Sequence, residues 1–128
     1  GILVNSAKKS FFPLEERIDC LRHCCRTYDT VEVISFNGLL VDFCRKNGIS
    51  CIIRGLRAVS DFEYEITLAS INRRLASDIE TIFLMARDEN LFVSSSLVKE
   101  VATYNGDIST LVPPYVADKI RNTFSREV

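Results

Sequence analysis

Short β-rich apolar runs alternate along the chain with longer stretches whose apolar positions recur at helical spacing, and this alternation predicts the elements. Gly1-Ile2-Leu3-Val4 reads as a strand from the first residue. Pro13 suits a first helical position, Glu15 and Glu16 fall near the positive helix end, and the helix should run to about Arg26. Val31 to Phe36 alternates as a strand, Leu39 to Lys46 reads as a helix, Gly48 ends it, and Ser50 to Ile53 is a third strand. A helix from Asp61 to about Leu75 and a strand from Glu80 to Met85 follow. Ser94-Ser95-Ser96 then opens a further helix, and Pro114 begins a last one reaching about Phe124, before a polar tail from Ser125 to Val128. Strands alternating with helices imply an α/β protein with parallel units, read as one domain over residues 1–128.

Composition narrows the function. Sixteen Lys and Arg against 17 Asp and Glu leave a formal charge of −1, so a nonspecific nucleic-acid role loses support and any basic site must be local. Cys20, Cys24, Cys25, Cys44 and Cys51 are odd in number and lie in apolar, periodic segments, which fits reduced thiols in a cytoplasmic core. Cys20, His23 and Cys24 can share one helix face. Yet His23 is the sole histidine and no C-x-x-C pair accompanies it, so a metal site there is disfavoured. No apolar run has the length of a membrane span, and no leader pattern opens the chain, so the expectation is a soluble protein with no membrane partner.

The chemistry concentrates between Ile52 and Glu65. Two arginines, Arg54 and Arg57, flank Gly55 where an apolar strand ends, and Ser60 with Glu63 spells a capping box opening the next helix. In open α/β sheets ligands bind outside the carboxyl ends of strands, so two guanidiniums there point to a phosphate-bearing substrate. The plainer alternative is that both pair with acids such as Asp61 or Glu63. On the helix, Phe62, Ile66, Ala69 and Leu75 are expected against the sheet, while Asp61, Tyr64, Glu65, Leu68 and Asn72 form a mixed stripe suited to a ligand or a partner subunit. The three serines either cap their helix or add hydroxyls to its N–H groups and dipole to hold phosphate oxygens.

Ile53-Arg54-Gly55-Leu56-Arg57, Asp61-Phe62-Glu63-Tyr64-Glu65 and Ser94-Ser95-Ser96-Leu97-Val98-Lys99-Glu100 together closely resemble bacterial phosphopantetheine adenylyltransferases, with Lys8-Lys9 and Leu14-Glu15-Glu16-Arg17 extending the likeness from Ile2 to about Pro113. The resemblance implies a Rossmann-like nucleotidyltransferase with an open parallel sheet and helices on both faces. It would join ATP and 4′-phosphopantetheine into dephospho-coenzyme A and pyrophosphate, as a magnesium-dependent, cytoplasmic homohexamer with coenzyme A as a feedback ligand. By the same likeness Lys8 and Arg54 hold the acceptor phosphate and carry the catalytic charge stabilisation. Leu40, Tyr64, Leu68 and Asn72 line the pantetheine arm. Gly55, Leu56, Arg57, Glu65, Asn90, Leu91, Phe92, Val93, Ser94, Ser95 and Ser96 meet ATP.

The likeness carries one departure. Family members place a strand, a Thr-Phe-Asp-Pro-like loop and a Gly-His pair upstream of the matching segment, about one βα unit or roughly 30 to 40 residues. None of it stands in these 128 residues, and His23 matches no active-site position. The expectation is a complete enzyme with that unit preceding Gly1. The alternatives are a shortened module that binds nucleotide or coenzyme A without catalysis, or a related nucleotidyltransferase with another phosphate-bearing acceptor. The Tyr64, Leu68 and Asn72 stripe favours a long, flexible acceptor arm over the latter.

Overall fold

A computed structural model describes residues 1–4 and 10–125, with Val59 and Ser60 described in backbone only. In chain order the elements are β1 (Ile2–Leu3), α1 (Leu14–Cys25), β2 (Ser35–Phe36), α2 (Leu40–Lys46), β3 (Cys51–Leu56), α3 (Val59–Leu75), β4 (Glu80–Met85), α4 (Ser95–Thr103) and α5 (Pro114–Ser125). The mixed α/β class is as expected. The described residues form two compact units, one of Gly1–Ser35 with Val93–Val128 and the other of Phe36–Phe92. Strand pairing follows two two-stranded sheets, β1 with β2 and β3 with β4.

The Phe36–Phe92 unit is built on a β-α-β crossover, since β3 and β4 pair in parallel from Cys51 opposite Glu80 to Leu56 opposite Met85. Alternation puts Ile52, Arg54 and Leu56 on one sheet face. Ile52 packs with Val41 and Cys44 of α2 and with Ala76 and Ile79 behind α3. The opposite face presents Ile53, Ile82 and Leu84, all exposed. α2 ends where Gly48 takes a left-handed φ of +65°, which lets the chain turn back toward β3. Phe36 stacks on Phe43, ring centroids 4.3 Å apart, so Phe36 is an internal packing residue.

The other unit is mainly helical. Val98 and Ala102 of α4, Ile108, and Ala117 and Ile120 of α5 form its core, with Phe11, Phe12 and Phe124 against it. Ile108 has no exposed surface. Gly106 lies close against α4, where a Cβ would stand 2.6 Å from Cγ1 of Val101. β1 is anchored by the Ile2 N–H donating to the Ile34 carbonyl at 2.7 Å.

Some boundaries differ from the sequence expectation. Pro13 stands at the N-cap of α1, one position earlier than expected. Val31 to Phe36 yields only the two-residue β2, with the Ile34 carbonyl also bonded to β1. β3 runs three residues past Ile53, so Arg54 is a strand residue and Arg57 alone follows the strand end. α3 begins at Val59 after an Ala58 N-cap without a side-chain cap bond, so Ser60 lies inside the first turn instead of at the N-cap position that the capping box assumed.

Candidate active site

Arg54 projects from β3 toward α3 and is held there by Glu65. Its Nε donates to Oε2 at 2.7 Å and its Nη2 to Oε1 at 2.6 Å, a two-point contact that matches the planar guanidinium to the carboxylate. The Glu65 side chain is 12% exposed and that of Arg54 37%. The hydrogen bond from Arg54 holds the Glu65 carboxyl below its ordinary range against the opposing effect of burial. The same bond raises Arg54.

One helical turn earlier, Asp61 holds Arg57. Its Oδ2 accepts from Arg57 Nε at 3.1 Å and from the Arg57 backbone N–H at 3.3 Å, which ties the chain leaving β3 to the start of α3. The side-chain bond from Arg57 lowers the Asp61 carboxyl. Asp61 and Glu65, four residues apart, thus present two carboxylates from one face of α3 to two guanidiniums. The plainer alternative in the sequence named Asp61, which does pair with Arg57, and Glu63, which is exposed, whereas the partner of Arg54 is Glu65.

This pairing also turns α3. Asp61, Glu65, Leu68 and Asn72 are half-buried, whereas Phe62, Ile66 and Leu75 are exposed. The expectation that Phe62, Ile66 and Leu75 pack on the sheet is therefore corrected. The mixed stripe faces inward because the half-buried Arg54 needs its carboxylate partner on that side, and an unpaired buried charge costs more than exposed aliphatic surface. Tyr64 is 66% exposed at the margin of the stripe.

The remaining expected residues are distributed as follows. Leu40 opens α2 and packs against the core of its unit. Gly55 is exposed, and a Cβ there would meet nothing within 4 Å, so packing among the described residues does not require its missing side chain. Leu56 is a buried core residue whose carbonyl accepts from Ala86 at 2.8 Å. Asn90 closes a single 3-10 turn, Leu91 is half-buried, and Phe92 is 84% exposed. Val93, Ser94, Ser95 and Ser96 belong to the other unit, where Ser94 caps α4 by accepting from the Leu97 N–H at 3.2 Å. Ser95 and Ser96 are exposed first-turn residues whose N–H groups face no intrahelical acceptor. Lys8 lies outside the described residues.

A second polar cluster escaped sequence reasoning. On α1 and α5, Asp19 accepts from the Tyr115 hydroxyl at 2.7 Å and pairs with Lys119 at 2.9 Å, while His23 stacks on the Tyr115 ring, centroids 3.8 Å apart and planes 5° apart. The spacings Asp19 to His23 and Tyr115 to Lys119 show only that each pair shares one helix face, and nothing in the sequence brings the two faces together. Hollows of about 340 Å³ and 360 Å³ open beside this end of α1, the first against His23, Cys24 and Tyr115 and the second against Arg22, Cys25 and Arg26. Neither takes in a residue of the arginine site. All five cysteines are free thiols, with Cys20 and Cys44 buried. Among the described residues no group of three or more His, Cys, Asp and Glu is placed to hold a metal ion.

Both arginines are thus paired with carboxylates, as the plainer alternative had it, and they stand at the carboxyl end of a parallel strand, where open α/β sheets bind ligands. Residues 2–101 match the cytidylyltransferase-like family, which sets the class. The chain is also 48% identical over 125 residues to phosphopantetheine adenylyltransferase of Thermobifida fusca (strain YX), covering 98% of this chain and 76% of that protein. It belongs to the phosphopantetheine adenylyltransferase family.

Proposed function

We propose that the protein transfers the adenylyl group of ATP to 4′-phosphopantetheine, releasing pyrophosphate and forming dephospho-coenzyme A. The observation that carries this reading is the Arg54–Glu65 and Arg57–Asp61 pair of ion pairs at the β3 end, in a chain so similar to a protein of that name. An oxygen of the acceptor phosphate attacks the α-phosphorus of ATP. The new bond forms between that oxygen and the α-phosphorus while the bond from the α-phosphorus to the bridging oxygen breaks, and pyrophosphate leaves with the electron pair. Because the substrate supplies the nucleophile, the protein needs no covalent intermediate and no strong base. Its contribution is alignment and stabilisation of charge.

In this reading Arg54 and Lys8 bind the acceptor phosphate, and Leu40, Tyr64, Leu68 and Asn72 accommodate the pantetheine arm. Gly55, Leu56, Arg57, Glu65 and residues 90–96 serve the nucleotide. Magnesium fits as an ion carried by nucleotide phosphates and water, a usual mode for this cation. Asp61 and Glu65, the carboxylates beside the arginines, are already engaged by them. The test is pyrophosphate release from ATP and 4′-phosphopantetheine, measured for residues 1–128 alone and for the same residues preceded by a family-type βα unit with its Gly-His pair. Release that needs both substrates is expected in at least the second. Binding of nucleotide with release from neither would overturn the reading in favour of a noncatalytic module.

The finer assignments rest on the family resemblance. A homohexamer is tested by light scattering, and a smaller mass would remove it. Feedback by coenzyme A is tested by competition against 4′-phosphopantetheine, where absence of displacement would remove it. The free thiols accord with a cytoplasmic setting, which cell fractionation checks. Among the described residues no helix is long and apolar enough to cross a membrane.

A further inference from the structure

Glu65 enters the family-based reading as a nucleotide contact, and its geometry gives it a further task. Both carboxylate oxygens are engaged by Arg54, at 2.7 Å and 2.6 Å, and the side chain is 12% exposed. An ionised carboxylate only accepts hydrogen bonds, and here both of its oxygens accept from a single guanidinium. Arginine carries five N–H donors, of which Glu65 takes one on Nε and one on Nη2. Among the described residues Nη1 has no hydrogen-bond partner, so the guanidinium keeps one edge occupied and the other available.

We propose that Glu65 is a positioning residue: it fixes the plane and rotamer of Arg54 so that the Nη1 edge meets the acceptor phosphate. The proposal rests on the reading of Arg54 as the acceptor-phosphate residue. Its physical content is a trade. Glu65 cancels the charge of Arg54, which by itself weakens attraction for phosphate. In exchange it holds a long, rotamer-rich side chain in one orientation before substrate arrives, and that favours a bidentate contact whose geometry must be met. The sign of the effect of removing the carboxylate therefore separates positioning from simple charge balance.

The experiment uses Glu65→Gln, which keeps the side-chain volume and removes the charge and one acceptor. Expected is a rise of about tenfold or more in KM for 4′-phosphopantetheine, whatever the change in KM for ATP. In an Arg54→Ala background the same substitution should add nothing, because its effect runs through Arg54. Tighter use of 4′-phosphopantetheine by the variant would overturn the proposal, as would a selective rise in KM for ATP. Equal, additive losses in both backgrounds with a lowered melting temperature would reduce Glu65 to a structural role and overturn it too.

A measurement on the unsubstituted protein guards against a variant that fails to fold. The Arg54 Nε–H resonance, identified by its disappearance in Arg54→Lys, should exchange slowly with solvent and persist when 4′-phosphopantetheine binds. Loss of that protection on binding would mean that Glu65 is released by the substrate, and the proposal would fall. Should the unsubstituted enzyme neither bind nor use 4′-phosphopantetheine, the functional reading fails. The resonance in the unliganded protein still reports whether the lock exists.

Discussion

Asp19 and Glu65 are both carboxylates that join two elements by pairing with a cation, yet their surroundings differ. Asp19 is 52% exposed and divides its acceptance between the Tyr115 hydroxyl and Lys119, beside a core of Val98, Ala102, Ile108, Ala117 and Ile120. Glu65 is 12% exposed and spends both oxygens on one guanidinium, in a unit that leaves Ile53, Ile82 and Leu84 uncovered. An exposed ion pair holds little beyond what the adjacent apolar packing already holds. A shielded two-point pair on a sheet with so much open surface is poorly explained by stability alone, and it aims a cation. Stability and chemistry thus fall on different residues, and the two kinds of substitution should separate them.

The largest stability effect is expected at Ile108→Ala. With no exposed surface and buried neighbours on two helices, the truncation should cost about 2 to 5 kcal/mol, read from denaturant unfolding. KM for both substrates should stay unchanged in the population that remains folded. A loss below 1 kcal/mol, well under that of typical core truncations, would show that the core of this unit is not where its stability resides.

Arg54→Ala is the mirror image. It should lower kcat/KM for 4′-phosphopantetheine on the order of 10²-fold to 10³-fold, about 2.7 to 4 kcal/mol of transition-state stabilisation, while ATP binding changes far less. The melting temperature should fall as well, since the 12% exposed Glu65 carboxylate is left without its partner, so the kinetic loss is read on the folded population. Equal losses for both substrates would break the division of labour between Arg54 and Arg57.

The start of α4 sharpens the contrast within a single turn. Ser94→Ala removes the cap on the Leu97 N–H and should cost about 1 kcal/mol of stability, most of which Ser94→Gly should restore. Ser95→Ala, one residue later and exposed, should leave stability unchanged and weaken ATP binding. If Ser95→Ala leaves ATP binding intact, the serine run is a capping sequence alone.

How much of this the chain disclosed in advance differs by scale. The β4 bounds and the Pro114 start of α5 followed from local pattern, because β-branched periodicity and proline geometry act over a few residues. Motif likeness singled out Arg54, Arg57 and Glu65, which the structure engages in neighbouring ion pairs, and named the family. What remained hidden was tertiary. Nothing local chooses Glu65 over Glu63 as the partner of Arg54, since that depends on the rotation of α3 over β3. The same rotation exposes Phe62 and Ile66, whose helical spacing reads as a core stripe. The stacking of His23 on Tyr115 joins residues 92 positions apart, beyond the reach of any periodicity.

The smallest expected effect lies in pH dependence, and it distinguishes the two carboxylates by their partners. Asp19 is lowered by its bonds from Tyr115 and Lys119, and Glu65 by its bond from Arg54. A carboxyl lowered in the folded state contributes stability that is complete above its unfolded value, near 4, and is lost as pH falls through the folded value. Both pairs should therefore leave the melting temperature flat from neutrality to about pH 5 and contribute to its fall below that. The alkaline side separates them. Tyr115 and Lys119 are each raised, first by the hydrogen bond with Asp19, so their contribution is complete below their unfolded values near 10 and disappears as pH rises through the folded ones. Arg54 stays charged throughout that range. Destabilisation above about pH 10 should thus diminish in Tyr115→Phe and be untouched in Glu65→Gln. An alkaline loss that Tyr115→Phe leaves intact would show that the Asp19 cluster is not what couples α1 to α5.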